Sequence, residues 1–143
     1  VKTKISNLDE LREFATELAQ DSCRPLLILL DGPMGAGKTQ FASYFVEARG
    51  GEAAASPSYA FHHVYQASGE VIDHFDLFRL ETLDDLESIG FWDVLTHAQT
   101  VLIEWADKLD EFSIPKDWSR SFTQISLRFS VDEFSLSRVL EKT

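Results

Sequence analysis

The residues of this chain with the plainest chemical purpose stand between positions 32 and 40. The apolar run LLILLD at 26–31 leads directly into Gly32, Pro33, Met34, Gly35, Ala36, Gly37, Lys38 and Thr39, and helical spacing follows to about Ala48. This is the pattern GxxxxGK[ST] in its required setting, with a strand before it and a helix after it. The glycines let backbone N–H groups converge on an anion, and the helix that follows turns its positive end toward them. Lys38 adds a full charge for β and γ phosphates, and Thr39 offers a hydroxyl to Mg²⁺. Residues 32–39 with Gln40 behind them are the candidate nucleotide contacts. Lys38 is also the only lysine between Lys4 and Lys108.

A phosphate loop needs a carboxylate to hold the metal, usually at the end of a neighbouring buried strand. Two acids qualify, Asp76 after VIDHF and Glu104 after TVLI. One would hold Mg²⁺ and the other would orient an attacking water; spacing does not say which does which. The remaining candidates are weaker. His62 and His63 are adjacent on a strand and point to opposite faces, which disfavours a chelate. His74 shares a face with Asp76 and reads either as a neighbour of the site or, the better reading of the sequence, as a packed or exposed histidine. Arg79 reads as a contact to phosphate or to a partner, or as a structural ion pair, and Trp105 as a wall of the nucleotide site or a core residue.

These residues need elements to carry them. Asn7, with Glu10 three positions on, opens an amphipathic helix over 7–20. The segments YAFHHVY and EVIDHFDLF, joined at 67–69, read as a hairpin. Helical spacing returns from Thr82 to about Leu95 with a break at Gly90. TVLIE at 100–104 is a second buried strand, FTQISLRF at 122–129 alternates with period two, and a last short helix is expected around 133–140. No repeat, low-complexity tract or linker interrupts the 143 residues, so a single domain over 1–143 is expected.

Charge bounds the partners. Thirteen basic against 24 acidic residues give a net charge of −11, the wrong sign for gripping nucleic acid by phosphate neutralisation. A nucleotide is still admissible. A lysine about 4 Å from a phosphate contributes about 4 kcal/mol at moderate effective dielectric, and carboxylates beyond about 8 Å are screened. One cysteine, Cys23, forms no internal disulfide, the start VKTKISNLDELREF lacks a signal-peptide core, and LLILL is too short to span a bilayer. A soluble, intracellular protein is the expectation.

The series GPMGAGKT, SPSY at 56–59, HFDLFRL at 74–80, LESIG at 86–90 and IEW at 103–105, in that order over about residues 8–130, resembles the TsaE family of small bacterial ATPases required for threonylcarbamoyladenosine in tRNA. The resemblance implies an α/β fold of the P-loop NTPase type, a mostly parallel sheet flanked by helices, with an antiparallel β-hairpin after a switch-like loop. It implies ATP/ADP and Mg²⁺ as cofactors, with Lys38 and Thr39 serving nucleotide and metal. Ser56 and Ser58 would belong to the switch-like loop near the γ phosphate, and Asp76, Glu104 and Trp105 to the active site. Glu104 is then the Mg²⁺ ligand, and Asp76 the better candidate for positioning water. It further implies a cytoplasmic location and protein partners resembling TsaB and TsaD. TsaD would modify the tRNA, this chain would reach tRNA only indirectly, and ATP hydrolysis would reset the complex. Pro33 and Met34 stand where the family usually has Asp and Leu, and Gln40 and Ser58 where it usually has Thr.

Two other readings of the phosphate loop compete. A small-molecule kinase usually carries an arginine-rich lid, whereas the arginines here are scattered at 12, 24, 49, 79, 120, 128 and 138. An ATP-dependent, non-catalytic binding switch shades into a slow hydrolase. A GTPase is disfavoured, since its base-reading loop needs an asparagine and the only one is Asn7.

Overall fold

The computed structural model describes residues 1–20, 24–52, 61–131 and, for the backbone, 138–142. Ser56 and Ser58 lie outside the described residues.

The elements in chain order are β1 (Lys2–Ile5), α1 (Leu8–Gln20), β2 (Leu26–Asp31), α2 (Lys38–Ala48), β3 (His62–Ala67), β4 (Glu70–Asp76), α3 (Leu83–Ser88), α4 (Phe91–His97), β5 (Thr100–Glu104), a 3₁₀ turn (Ala106–Glu111), β6 (Thr123–Val131) and β7 (Arg138–Lys142). One sheet runs in the order β1-β7-β6-β2-β5-β4-β3. Its central strands β6, β2, β5 and β4 are mutually parallel, and antiparallel pairs extend both edges: β4 with β3, and β6 with β7 and then β1.

LLILL, the first five residues of β2, is apolar throughout because that strand is covered on both faces. Leu26, Ile28 and Leu30 join the cluster under α1 and α2, with Leu11, Ala15, Leu18, Phe41 and Phe45. Leu27 faces the other way, into a cluster with Phe75, Leu86, Phe91, Val101 and Ile103 beneath α3 and α4. The period of two fixes the same parity on the neighbouring strands, so Ile72 and Leu102 share the α1/α2 side. His74, Asp76 and Glu104, two or four residues further on, fall on that side as well.

The helix starts follow the sequence. Asn7 Oδ1 accepts from the Glu10 N–H at 2.9 Å, while Glu10 reaches back to the Ser6 N–H at 3.1 Å. Thr82 and Asp85 form a capping box on α3, and Gly90, at φ 73°, separates α3 from α4.

One expectation fails at the C-terminal end. A helix was expected around 133–140, but Arg138–Lys142 is strand β7, paired antiparallel with β6; residues 132–137 lie outside the described set. An eight-residue helix is marginal in water, and the open edge of the nine-residue β6 offers ladder hydrogen bonds instead. The edge strand β1, which the local pattern does not announce, then pairs on β7.

At the end of the sheet remote from the glycine-rich loop, an ionic cluster around buried Glu70 ties α1, the end of α2, β4 and β5 together. Arg49 donates to Glu70 at 3.0 Å and to the Ala19 carbonyl at 2.7 Å, Arg24 also pairs with Glu70, and the Thr100 hydroxyl donates to Glu70 at 2.7 Å. Burial alone would raise the Glu70 pKa. The hydrogen bonds from Arg24 and Thr100 and the charges of Arg49 and Arg24 outweigh it and hold the carboxyl below its ordinary value. A carboxyl with a depressed folded pKa adds stability above the unfolded value, near 4.5, and that stability drains away as pH falls through the folded value. Glu70→Gln is therefore expected to lose about 2 kcal/mol at pH 7, or roughly 6 °C in Tm, and to show a shallower acid limb than wild type below about pH 4.5. Thermal melts across pH 3–7 measure both; parallel acid limbs would remove Glu70 as their source.

Candidate active site

The C-terminal ends of β2, β5 and β4 meet where the chain leaves β2 for α2, the place where open α/β sheets bind ligands. Register aligns them: Leu30 and Asp76 are both Cα partners of Glu104. The backbone closes the junction, with Trp105 N–H donating to Leu30 O at 2.9 Å and Leu77 N–H to Glu104 O at 3.1 Å.

The loop between β2 and α2 is shaped by its glycines. Gly32 has φ 143°, and a Cβ there would lie 2.4 Å from the Phe129 carbonyl oxygen on β6. Gly37, at φ 111°, is the N-cap of α2 and leaves the first N–H groups of that helix facing the loop. Lys38 is 4% exposed and folds back over the loop. Its Nζ donates to the Gly32 carbonyl at 2.5 Å and the Pro33 carbonyl at 2.9 Å, and sits 4.0 Å from the centre of the Trp105 ring. Burial lowers the Lys38 pKa, against the pull of Glu104, Asp76, Asp31 and Asp107. Pro33 thus contributes a carbonyl where it withholds an N–H.

Glu104 is 2% exposed and engaged on both oxygens. Oε1 accepts from the Thr39 hydroxyl at 2.7 Å, and Oε2 lies 2.6 Å from His74 Nε2. Burial works to raise the Glu104 pKa. The hydrogen bond and attraction from His74, the Thr39 hydroxyl and the Lys38 charge outweigh it, so the carboxyl is held below the ordinary carboxylate range and stays ionised at neutral pH. Asp76 is half-buried beside it and accepts from the Phe78 N–H at 3.1 Å.

A cleft of about 510 Å³ opens over these groups, lined by Met34, Gly35, Gly37, Lys38, Thr39, Gln40, Ser43, Asp76, Phe78, Glu104 and Trp105. The structure therefore brings Asp76, Glu104 and Trp105 to the glycine-rich loop as the sequence suggests. Gly32, Pro33 and Ala36 do not line the cleft. Gly32 packs under Phe129, Pro33 holds Lys38, and Ala36 is buried in the core. Arg79 is exposed, outside the cleft lining. His62 and His63 do face opposite ways: His62 stacks on Phe75 and pairs with Asp73 at 2.8 Å, whereas His63 lies beside the His74 ring.

Sequence reasoning missed two things. Trp105 adopts φ 59°, rare for a side chain of its size, and this kink lays its indole beneath Lys38 and against Phe78, with ring centres 5.0 Å apart. The direct pairing of His74 with Glu104 was also missed. Its signal was the shared parity of His74 and Asp76 on a strand that neighbours β5.

Thr39 and Glu104 are hard oxygen donors beside a phosphate-type loop, which suits Mg²⁺, an ion that takes one or two protein oxygens and fills its shell with phosphate and water. Among the described residues no group of three His, Cys, Asp or Glu side chains forms a metal cage, and such a cage is not what this ion requires.

Fold and site together define an α/β protein of the phosphate-loop class. A family model described as threonylcarbamoyl adenosine biosynthesis protein TsaE matches residues 5–135. The chain belongs to the TsaE family. It is 31% identical over 113 residues to the TsaE protein of Rickettsia conorii, covering 78% of this chain and 64% of that one. It is 34% identical over 86 residues to that of Haemophilus influenzae, covering 59% and 54%, and 31% identical over 113 residues to that of Bacillus subtilis, covering 78% and 70%. The match thus spans less than two thirds of the Rickettsia and Haemophilus relatives. The crystal structure of Bacillus subtilis YdiB superposes with a TM-score of 0.64 at 25% identity, over 98% of this chain and 82% of that one. Among the described residues no helix is long and apolar enough to cross a membrane.

Proposed function

We propose that this chain binds ATP and ADP through residues 32–39, hydrolyses ATP with Mg²⁺, and serves as an accessory subunit in making threonylcarbamoyladenosine, alongside cytoplasmic partners of the TsaB and TsaD kind. The observation that carries this reading is the 2.7 Å hydrogen bond from the Thr39 hydroxyl to the ionised, buried Glu104. It joins the first turn of α2 to the end of β5 at the place where a nucleotide-bound cation would sit. Thr39 and Glu104 would hold Mg²⁺, which when bound neutralises charge on the β and γ phosphates.

The chain's own groups divide the remaining work. The N–H groups at the start of α2 cradle the phosphates. Lys38 leaves the Gly32 and Pro33 carbonyls and places its charge on the β and γ oxygens. Asp76, beside Glu104 at the strand ends, accepts a hydrogen bond from the attacking water and aims it at the γ phosphorus. Trp105 and Phe78 wall the cleft against bulk water. No arginine lines the cleft among the described residues, which favours a hydrolase over a kinase that needs an arginine lid. The net charge of −11 favours docking on a protein over direct contact with tRNA.

Titration calorimetry in Mg²⁺ buffer tests the core of this reading. Uptake of ADP and ATP with dissociation constants in the micromolar range is the expected result. No heat at millimolar nucleotide would overturn it. Nucleoside analysis of tRNA from cells depleted of the protein tests the pathway: loss of threonylcarbamoyladenosine is expected, and its persistence would remove the accessory role.

A further inference from the structure

Glu104 is gripped from two sides, and only one grip comes from the phosphate-loop helix. Thr39 on α2 holds Oε1, whereas Oε2 is held by His74, a 4% exposed residue of β4. A carboxylate accepts only, so His74 Nε2 carries the proton of the 2.6 Å bond. The other ring nitrogen, Nδ1, faces the Tyr65 hydroxyl of β3 at 3.4 Å, and the Tyr65 and His74 rings lie nearly parallel with centres 6.0 Å apart. A chain Tyr65, His74, Glu104, Thr39 therefore crosses the sheet from the β3–β4 hairpin to the start of α2.

The geometry explains why one contact would not suffice. The last torsion of a glutamate is broad and nearly two-fold, so a single hydrogen bond leaves the carboxylate plane free to rock. Two donors on opposite oxygens fix it. The strand register makes the second donor available: His74 pairs with Leu102, two residues before Glu104, on the same face of adjacent parallel strands.

We propose that His74 is a positioning residue, held in turn by Tyr65, that turns the Glu104 carboxylate so that Oε1 faces Thr39 and the divalent cation. The role rests on the cation site proposed above. Donors of this kind, one step removed from a metal, are worth about 10–100-fold in metal affinity or activity.

The test uses Mn²⁺ as the probe, its binding to the ADP complex read by electron paramagnetic resonance, together with steady-state ATP hydrolysis. His74→Asn shortens the side chain so that no N–H reaches Glu104, and His74→Gln returns an N–H near the position of Nε2. Asn is expected to weaken Mn²⁺ binding at least about 10-fold and to lower kcat by a similar factor, with KM for ATP within about 3-fold of wild type. Gln is expected to recover most of both. Tyr65→Phe, which removes one hydroxyl and keeps the ring, is expected to weaken Mn²⁺ binding about 2–3-fold and keeps the test available should His74→Asn not fold. Wild-type Mn²⁺ affinity in the Asn variant, or Gln no better than Asn, overturns the positioning role alone. A wild-type chain that takes up no Mn²⁺ with ADP overturns the proposed function and this role with it.

Discussion

Lys38→Met is expected to abolish ATP hydrolysis while leaving a protein that melts no lower than wild type. The loss follows from the charge. An ammonium about 4 Å from a phosphate is worth about 4 kcal/mol at moderate dielectric, so its removal lowers kcat/KM by about three orders of magnitude. The thermal behaviour follows from burial. The Lys38 pKa is lowered in spite of four nearby carboxylates, so the fold disfavours the charged form relative to the unfolded chain. For a base with a lowered folded pKa, that penalty is present in full where both states are protonated, shrinks as pH rises past the folded value, and vanishes above the unfolded one. Methionine removes the penalty and keeps an unbranched apolar side chain of similar length at this buried position. Turnover assays and thermal melts on the same preparation decide it. Full activity would refute the role of Lys38, and a large fall in Tm would show that its bonds to Gly32 and Pro33 support the fold.

Gly32→Ala is expected to be the most damaging small change in the loop. At φ 143° the backbone is in a region that favours glycine, and the new Cβ would meet the Phe129 carbonyl oxygen at 2.4 Å and the Phe129 Cβ at 2.8 Å. Neither atom is the tip of a flexible side chain, so β6 must part from β2 or the loop must leave its place. A loss of about 3–4 kcal/mol, or roughly 10–15 °C in Tm, is expected, with nucleotide binding weakened in step. Gly35→Ala is the control. Gly35 is also left-handed, at φ 80°, but a Cβ there meets nothing within 4 Å, so only about 1 kcal/mol of backbone strain is expected. Equal Tm values for the two variants would show that contact with β6 is not what selects glycine at position 32.

The parts of the fold legible in the sequence are those decided locally. LLILLD, TVLIE and the 7–20 and 38–48 helices carry their periodicity in single segments, and the glycine-rich loop states its own geometry. Asp76 and Glu104 were legible because strand ends beside a phosphate loop are few. Edge strand β1 and its neighbour β7 were not, because their pairing depends on a partner distant in the chain, and the few residues of β7 carry no period long enough to separate helix from strand. The tie of His74 to Glu104 depends on the relative register of β4 and β5, which no single segment encodes. The indole of Trp105 depends on one unusual backbone angle, with only its adjacency to Glu104 to announce it.

The placement of the three tryptophans divides the chain's intrinsic fluorescence into two populations. Trp92 on α4 and Trp118 pack edge-on with ring centres 6.4 Å apart, while Trp105, alone of the three, lines the cleft with an ammonium over its ring. The first pair does not line the cleft, so a change in emission on nucleotide binding is expected to come from the third, whose ring faces the lysine. A single excitation wavelength is therefore expected to follow the phosphate loop in real time in the unlabelled protein.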